Sequence, residues 1–372
     1  MTSEARDNGE HGGAVIDACV FHEWPTTTAL AAYLPDGWRE LLTEPGVFVL
    51  GTPIYPNYLA SESPITSYDA LGEILADGRR ERVVLSYDKG ILATTNHNHF
   101  VGQAVTEAAN RWTEEEWLTR DERLYGLVAA HCSLPDEAAK EIRRSGANPR
   151  MVGVLVGAAT LGSPLGHPIY HPILEAAAEM GLPLVLQAGV DATENALPSP
   201  VAGGLPATAA EYRSLSWHAQ MAHLNSLILQ GVFDKFPTLR VLLLGAGALW
   251  LPGHFWRLDY RFGVTRGDGR WLKKRPIDYF DRFFVSTFRL DRPTQDDRLA
   301  QALSVIPGIE QRLLYASGMP DHDADEVPDA LSGIPASWQA GVLFDNALDF
   351  FRWPGESPNS RNQSSQEEAA LA

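Results

Sequence analysis

Short apolar runs alternate with amphipathic segments along most of this chain. The runs are almost continuously apolar and rich in β-branched residues, which is typical of parallel strands buried on both faces. They cover residues 14–21, 82–87, 124–132, 151–159, 182–189, 240–247, 283–288 and 313–318. Apolar residues at three- and four-residue intervals predict helices over 100–118, 136–146, 171–181 and 221–233. About eight strand–helix units in series favour a closed (β/α)8 TIM barrel over an open sheet.

The two ends of the chain differ from this pattern. Residues 1–13 are polar and Gly-rich and predict a flexible N-terminus, while residues 354–372 lack apolar periodicity and predict a disordered tail. No repeat or linker interrupts residues 14–353, which we therefore expect to form a single barrel domain. Long connections at 22–65, 190–215 and 252–280 leave the carboxyl ends of strands, where barrel active sites are built. Their stretches GTPIYPNY (51–58) and LPSPVAGGLP (197–206) are expected to wall a substrate pocket.

The charge of the chain excludes some classes of partner. Its 372 residues include 47 acidic and 30 basic side chains, a net charge of −17. Such a surface repels phosphate backbones and anionic lipid, so we expect neither nucleic acid nor membrane as a partner. No apolar run approaches the roughly 18–20 residues that span a bilayer, and the N-terminus does not resemble a signal peptide. Two cysteines, Cys19 and Cys132, are too few for a disulfide framework, so a reducing cytoplasmic location is expected.

A known family shares several blocks of this sequence in the same order and at similar spacing. They include VIDACVFHEW (15–24), ANRWTEEEWLTRDERLYG (109–126), GHPIYHPILEAAAEMGLPLVLQAG (166–189) and LLYASGMPDHDAD (313–325). Through them the chain resembles amidohydrolase-related proteins of the aminocarboxymuconate-semialdehyde decarboxylase type, over most of residues 14–353. The resemblance implies a (β/α)8 barrel with a divalent metal at the carboxyl ends of the strands. In that family the metal activates water or polarises a substrate carboxylate.

The ligand positions that the resemblance implies are occupied here by other residues. Cys19 and Phe21 stand on the first strand, where the family has a His or acidic residue followed by His. Gln187 replaces the fifth-strand His, Gly245 an acidic residue after the sixth strand, and Gly318 the eighth-strand Asp. Phenylalanine and glycine side chains offer no donor atom, and a Gln oxygen is a poor replacement for imidazole. Because a site needs about three protein ligands, we predict no catalytic metal and no other cofactor.

Three histidines at strand ends or loop ends are candidates for proton transfer. His22 follows the first strand and could act as a general base, although packing beside Trp24 explains it equally well. His131 ends the third strand, where a structural role is as well supported as a functional one. His218 belongs to a segment from which members of the resembling family frequently present a His to the substrate.

The densest titratable cluster of the chain follows the eighth strand. It consists of Asp321, His322 and Asp323 in MPDHDAD, which we take as catalytic candidates. Asp323 matches an Asp that the resembling family carries in its PHWD block. The other two depart from that pattern, so they are the positions where a new function would have been built.

Candidate substrate contacts surround these groups. Asp88 and Lys89 follow the second strand, and Lys89 could orient a substrate carboxylate, although a pair of solvated loop charges is an alternative. Arg289, just past the seventh strand, could meet a carboxylate or carbonyl group. The remaining predicted contacts are the polar or small residues Cys19 and Gln187 and the aromatic residues Phe21, Trp24, Trp217 and Phe288, with Tyr55 and Tyr58 in the first long loop.

Three functional hypotheses remain open at this point. The first is a metal-independent enzyme that acts on a largely apolar small molecule by acid–base and shape catalysis. Its reaction would be a cyclisation, isomerisation, dehydration or decarboxylation, with secondary metabolism as a natural setting. The second is a non-catalytic homologue that binds a small molecule or scaffolds a partner, and the third is a metal-dependent hydrolase or decarboxylase with a remodelled site. The polar cluster favours an enzyme, and WLPGHFW (250–256) could contribute to a homodimer interface.

Overall fold

The computed structural model of the chain describes residues 13–44, 64–76, 78–189, 207–215, 217–265, 269–294 and 297–355. The stretches GTPIYPNY and LPSPVAGGLP, with Tyr55 and Tyr58, lie outside the described residues. So does nearly all of the predicted flexible N-terminus and of the predicted disordered tail. Within the described ranges, no helix is both long and apolar enough to cross a bilayer.

Eight parallel strands form one sheet in which each strand pairs with the next along the chain. They are β1 (Val15–His22), β2 (Arg80–Tyr87), β3 (Leu124–Ala129), β4 (Met151–Val156), β5 (Leu184–Gln187), β6 (Val241–Leu244), β7 (Phe283–Ser286) and β8 (Leu313–Leu314). The segment after β8 returns to β1: the Gly318 N–H donates to the Cys19 carbonyl at 3.0 Å, and the Phe21 N–H donates to the Met319 carbonyl at 2.7 Å. These bonds join the two edges of the sheet, and the predicted barrel is confirmed.

Helices cover the outside of the barrel. They are α1 (Asp36–Thr43), α2 (Tyr68–Leu75), α3 (His99–Trp112), α4 (Pro135–Gly146), α5 (His171–Glu179), α6 (Ala209–Leu215), α7 (His218–Leu229), α8 (Val232–Lys235), α9 (Leu251–Val264), α10 (Asp297–Leu303), α11 (Val327–Ala330), α12 (Ala336–Ala340) and α13 (Asn346–Phe350). The helix predicted over 100–118 is α3 followed by a π-helical turn, Thr113–Trp117. Strand residues and the inner faces of these helices form one continuous apolar core.

Several predicted strands end earlier than the apolar pattern suggested. In the runs predicted over 240–247 and 313–318, the strands end at Leu244 and Leu314. Gly245 and Gly318 follow, each with a φ of +68°, a conformation that side chains with a Cβ atom rarely adopt. The chain therefore changes direction at these glycines. We call the carboxyl ends of the strands, where these turns lie, the mouth of the barrel.

Candidate active site

An aromatic ring fills the centre of the mouth. The Phe288 side chain, 1% exposed, packs between the backbones of Gly245 and Gly318. A Cβ atom added at residue 318 would lie 2.1 Å from a carbon of this ring, and one added at residue 245 would lie 3.2 Å from it. The Phe21 ring meets Phe288 edge-on, with 5.7 Å between the centroids. Phe288 thus occupies the space beside both positions at which the resembling family carries acidic residues.

Two further positions of that implied metal site, Cys19 and Gln187, also lack suitable ligands. Burial raises the pKa of the Cys19 thiol well above its usual range, which disfavours the thiolate that binds metals. The Gln187 amide spans the mouth: its Oε1 accepts the Ser86 hydroxyl at 3.1 Å, and its Nε2 donates to the Tyr87 carbonyl at 3.3 Å. No group of three or more His, Cys, Asp or Glu side chains with metal-binding geometry occurs in the described ranges. The residues at these positions therefore do not fit a divalent metal ion.

Two arginines and two aspartates form an ion-pair cluster at the mouth. Arg289 donates from Nη2 to Asp321 at 3.0 Å and from Nε to Asp323 at 3.1 Å. Arg213 of α6 pairs with the same Asp323 oxygen. The Arg289 guanidinium also lies over the Phe288 ring, 4.7 Å from its centroid. We call these four charged residues the arginine–aspartate cluster. It brings together Arg289, Asp321 and Asp323, which the sequence offered as separate site candidates.

Arg289 holds this position with an unusual backbone. Its φ is +54°, in the left-handed region, which costs a residue with a Cβ atom about 1–2 kcal/mol. Phe288 immediately before it points into the centre of the mouth, whereas Arg289 turns toward the loop after β8. Because of this turn, the Phe288 ring and the Arg289 guanidinium lie next to each other at the mouth.

Asp88 lies in the same region, at the end of β2. Its side chain is half-buried, and its carboxyl group forms no hydrogen bond or ion pair in the described part of the chain. Burial raises the pKa of Asp88, as does the negative charge of Asp321, while Lys89 and Arg289 lower it. Asp88, Asp321 and Arg289 are all near enough to Cys19 on β1 to influence the pKa of its thiol. Ser86 of β2 reaches Gln187 across the mouth and Tyr87 packs behind the wall, so alternation along β2 directs Asp88 to the mouth. The neighbouring strands β7, β8, β1 and β2 thus carry these groups to one side of it.

The sequence analysis did not identify one buried carboxyl group beside these strand ends. Glu23, only 8% exposed, accepts the backbone N–H of Gly90 at 2.5 Å and that of Trp24 at 3.1 Å. Burial raises the pKa of Glu23 to about 8. A carboxyl residue at the end of the first strand, directly after His22, was the available signal. Its two backbone bonds fasten the turn that carries Asp88 and Lys89.

The structure places His22 away from the mouth, which argues against the predicted role as a base. Its Nδ1–H donates to the Ser86 carbonyl at 2.6 Å, and its Nε2 lies 2.8 Å from the Thr113 hydroxyl. Burial lowers the pKa of His22 to about 4. The ring packs among three aromatic side chains between the barrel and α3, those of Tyr87, Trp112 and Trp117. Packing, the alternative left open above, describes this residue better.

His131 also lies behind the barrel wall. A Cβ atom added at Gly102 of α3 would fall 2.3 Å from its Nε2, so the ring points toward that helix. Both ring nitrogens are buried without a hydrogen-bond partner of good geometry. Burial and the neighbouring His99 lower the pKa of His131 to about 4. This position does not support the predicted catalytic role.

The other predicted residues occupy the periphery of the mouth. Trp24 is buried against the backbone of Gly90, where it supports the turn after β2. Trp217 stacks on Trp250 with 5.5 Å between ring centroids, and His218 packs edge-on against Trp217 at 6.1 Å. No contact among the described residues joins His218 to the arginine–aspartate cluster. His322 is exposed, with its ring outside the cluster formed by its two neighbours.

Comparison with known proteins supports the architecture. The sequence is 29% identical over 135 residues to the gamma-resorcylate decarboxylase of a Polaromonas species. That match covers 35% of this chain and 39% of the relative, so it spans about two fifths of the relative's length. Among solved structures, 5-carboxyvanillate decarboxylase from Sphingomonas paucimobilis superposes with a TM-score of 0.64 at 22% identity, over 91% of this chain and 99% of that one.

A second solved structure carries a metal. It is a dihydroxybenzoic acid decarboxylase from a Polaromonas species with bound manganese, with a TM-score of 0.62, 19% identity, and coverage of 91% of this chain and 96% of that one. At such identities the two structures show a common fold. The family model described as amidohydrolase matches residues 86–353, well over half of the sequence. The chain therefore belongs to the amidohydrolase family.

Proposed function

We propose that this protein is a metal-independent enzyme that decarboxylates a small aromatic acid at the mouth of its barrel. The observation that carries the proposal is the Phe288 ring between Gly245 and Gly318, which occupies the space that metal-ligating side chains would need. An enzyme built this way must stabilise charge with its own side chains. Preorganised donors and shape complementarity in a dry site can supply several kcal/mol of such stabilisation.

The positive charges beside Asp88 suit an acidic ligand. Arg289 presents a guanidinium held in place by Asp321 and Asp323, and its Nη1 forms no bond with either of them. Lys89 lies next to Asp88 and makes no ion pair in the described part of the chain. Guanidinium and ammonium groups are the usual partners of carboxylates. The buried pair Phe21 and Phe288 forms the apolar interior beside these charged groups.

Decarboxylation is favoured over cyclisation, isomerisation and dehydration by the relatives. The sequence relative and both solved structures described above are named decarboxylases of aromatic acids. Their fold alone would not assign a reaction, since one barrel hosts many chemistries. The cationic groups at this mouth, however, are those that an aromatic carboxylate requires.

The test combines metal analysis with an activity panel. Full-length protein, expressed in metal-supplemented medium, is measured by plasma mass spectrometry before and after treatment with a chelator. It is then assayed with hydroxybenzoates that carry a hydroxyl group ortho to the carboxylate, by loss of ultraviolet absorbance and release of CO2. We expect under about a tenth of an equivalent of metal and a rate that the chelator leaves unchanged. The manganese-containing Polaromonas relative serves as a control that the chelation procedure removes metal.

Two outcomes would contradict the proposal in different ways. Close to one equivalent of metal, with turnover that is lost on chelation and restored by Mn²⁺, would establish the metal-dependent alternative. Binding of the acids by calorimetry without any turnover would support the non-catalytic alternative.

A homodimer is a separate proposal. Helix α9, which begins within the WLPGHFW segment, exposes Trp256, Tyr260 and Val264 at four-residue intervals along one face. Exposed aromatic stripes of this kind commonly mark protein interfaces. A cytoplasmic location and a role in secondary metabolism stay predictions from the sequence.

A further inference from the structure

Two carboxyl groups with different surroundings lie on one side of the mouth. The Ser86 hydroxyl reaches Gln187 across the mouth and the Tyr87 ring packs behind the barrel wall, so alternation along β2 directs the next residue, Asp88, back toward the mouth. Asp321, after β8, is tied to Arg289 at 3.0 Å and also accepts the Asp323 N–H at 2.8 Å. Asp88, after β2, has no such bond in the described part of the chain, although the charge of Asp321 raises the pKa of Asp88. Enzymes that need one proton donor and one fixed charge use pairs of carboxyl groups whose environments differ in this way. Asp88 is the member of the pair that is free to move a proton.

The other titratable groups nearby are less suited to that task. Glu23 is held by two backbone N–H donors and serves the turn. Asp323 pairs with two arginines and is 43% exposed, so solvent competes for it. His22 and His131 lie behind the barrel wall.

We propose that Asp88 donates the proton that replaces the carboxylate on the substrate ring, an assignment that rests on the proposed function. With 2,6-dihydroxybenzoate as the substrate, the ring carbon that bears the carboxylate takes the proton from the Asp88 carboxyl group, using π electrons that the ortho hydroxyl groups supply. The bond from that carbon to the carboxylate then breaks, its electron pair restores the aromatic ring, and CO2 leaves. Asp88 remains as a carboxylate and regains a proton from solvent, so one proton is consumed for each CO2 released.

The surroundings of Asp88 suit this role. It must carry a proton when the acid binds, and burial together with Asp321 favours the protonated form. Lys89 and Arg289 oppose that effect, yet both can be engaged by the substrate carboxylate. Binding of an anion there would weaken their influence on Asp88 and leave it a better-protonated donor.

The experiment reads the proton step in both directions. Full-length wild type, Asp88→Asn and Asp88→Glu are assayed for decarboxylation of 2,6-dihydroxybenzoate, and for exchange of the C2 hydrogen of resorcinol with D2O by proton NMR. We expect Asp88→Asn to lower both rates at least about a hundredfold and to change the dissociation constant for 2,6-dihydroxybenzoate less than about threefold. Asp88→Glu should recover part of each rate. Asp325→Asn, which affects an ion pair with Arg292 outside the cluster, is the matched control and should behave as wild type.

The pH profile provides a readout that a merely structural role would not move. The wild-type rate should fall on the alkaline side as Asp88 loses its proton, and Asp321→Asn should shift that fall to lower pH, because it removes a negative charge that raises the pKa of Asp88. Asp88→Asn that folds, binds the acid and retains either rate within tenfold of wild type would overturn the assignment. Wild type that neither turns over nor exchanges would overturn the proposed function itself and the assignment with it.

Discussion

The ring of Phe288 and the backbone of Gly318 exclude any side chain at position 318. A Cβ atom there would lie 2.1 Å from one ring carbon, and the backbone φ of +68° disfavours such an atom independently of the contact. A metal-ligating Asp at 318 and the observed position of Phe288 are therefore mutually exclusive. The absence of a ligand at position 318 is therefore linked to the position of the Phe288 ring, and a single substitution would not restore the ligand.

This coupling predicts non-additive effects on stability. Gly318→Ala should lower the free energy of unfolding by about 2–4 kcal/mol, of which about 1 comes from the left-handed backbone and the rest from the clash with Phe288. Gly162→Ala is the matched control, since Gly162 has a φ of +71° and no atom within 4 Å of an added Cβ. Urea unfolding should give about 1 kcal/mol for the control. In the Phe288→Ala background, the cost of Gly318→Ala should fall toward the control value. Equal costs in both backgrounds would mean that the ring does not occupy this space in solution.

Arg289 should determine the affinity for acids. Arg289→Met is expected to weaken binding of 2,6-dihydroxybenzoate by about 10- to 100-fold in calorimetry, because a hydrogen bond to a charged group contributes about 1.5–3 kcal/mol. Arg289→Lys should recover part of the loss, since it keeps the charge but not the forked geometry. The control is Arg292→Met, at an arginine paired with Asp325. Unchanged affinity in Arg289→Met would show that the guanidinium does not bind the acid.

His131 should make stability depend on pH. Its pKa is about 4 in the folded protein against 6.5 for an ordinary histidine, so the unfolded chain binds a proton between these values that the folded protein does not. Wild-type stability should therefore fall as the pH drops from 6.5 toward 4, and His131→Leu should escape this loss. The free energy of unfolding of His131→Leu minus that of wild type should be about 2 kcal/mol larger at pH 5 than at pH 7.5. Urea unfolding at both values tests this, with exposed His97→Leu as the control. A relative stability that does not vary with pH would show that His131 titrates normally.

The exposed face of α9 should control association. If the protein forms the proposed homodimer through it, the double change of Trp256 and Tyr260 to Glu should give monomers in light scattering after size-exclusion chromatography. Phe100→Glu changes an equally exposed aromatic residue on α3 and should leave the mass unchanged. A dimeric double variant would assign the interface to another surface, and a monomeric wild type would exclude the dimer.

The architecture was predictable from the sequence because its signal is local. Strands of a parallel barrel are buried on both faces, so each forms an apolar run such as 82–87 or 151–156 that stands out along the chain. The helix signals were also local, since apolar residues recur at three- and four-residue intervals on the faces that pack against the barrel. Strand ends were less predictable: the regular strand β8 ends at Leu314, although residues 315–319 continue to bond to β1.

The same sequence determined which donors are missing from the mouth and that Arg289, Asp321 and Asp323 follow neighbouring strands. Only the tertiary structure decided what replaced the donors. The placement of Phe288 between two glycines depends on segments more than forty and about thirty residues away in sequence. The tertiary structure also directs Asp88 toward the mouth, and His22 and His131 toward the helices. Alternation along a strand predicts which of its two faces each side chain occupies. At a strand end, a local break in pairing or a left-handed residue can reverse that prediction, because such deviations arise from packing between distant segments.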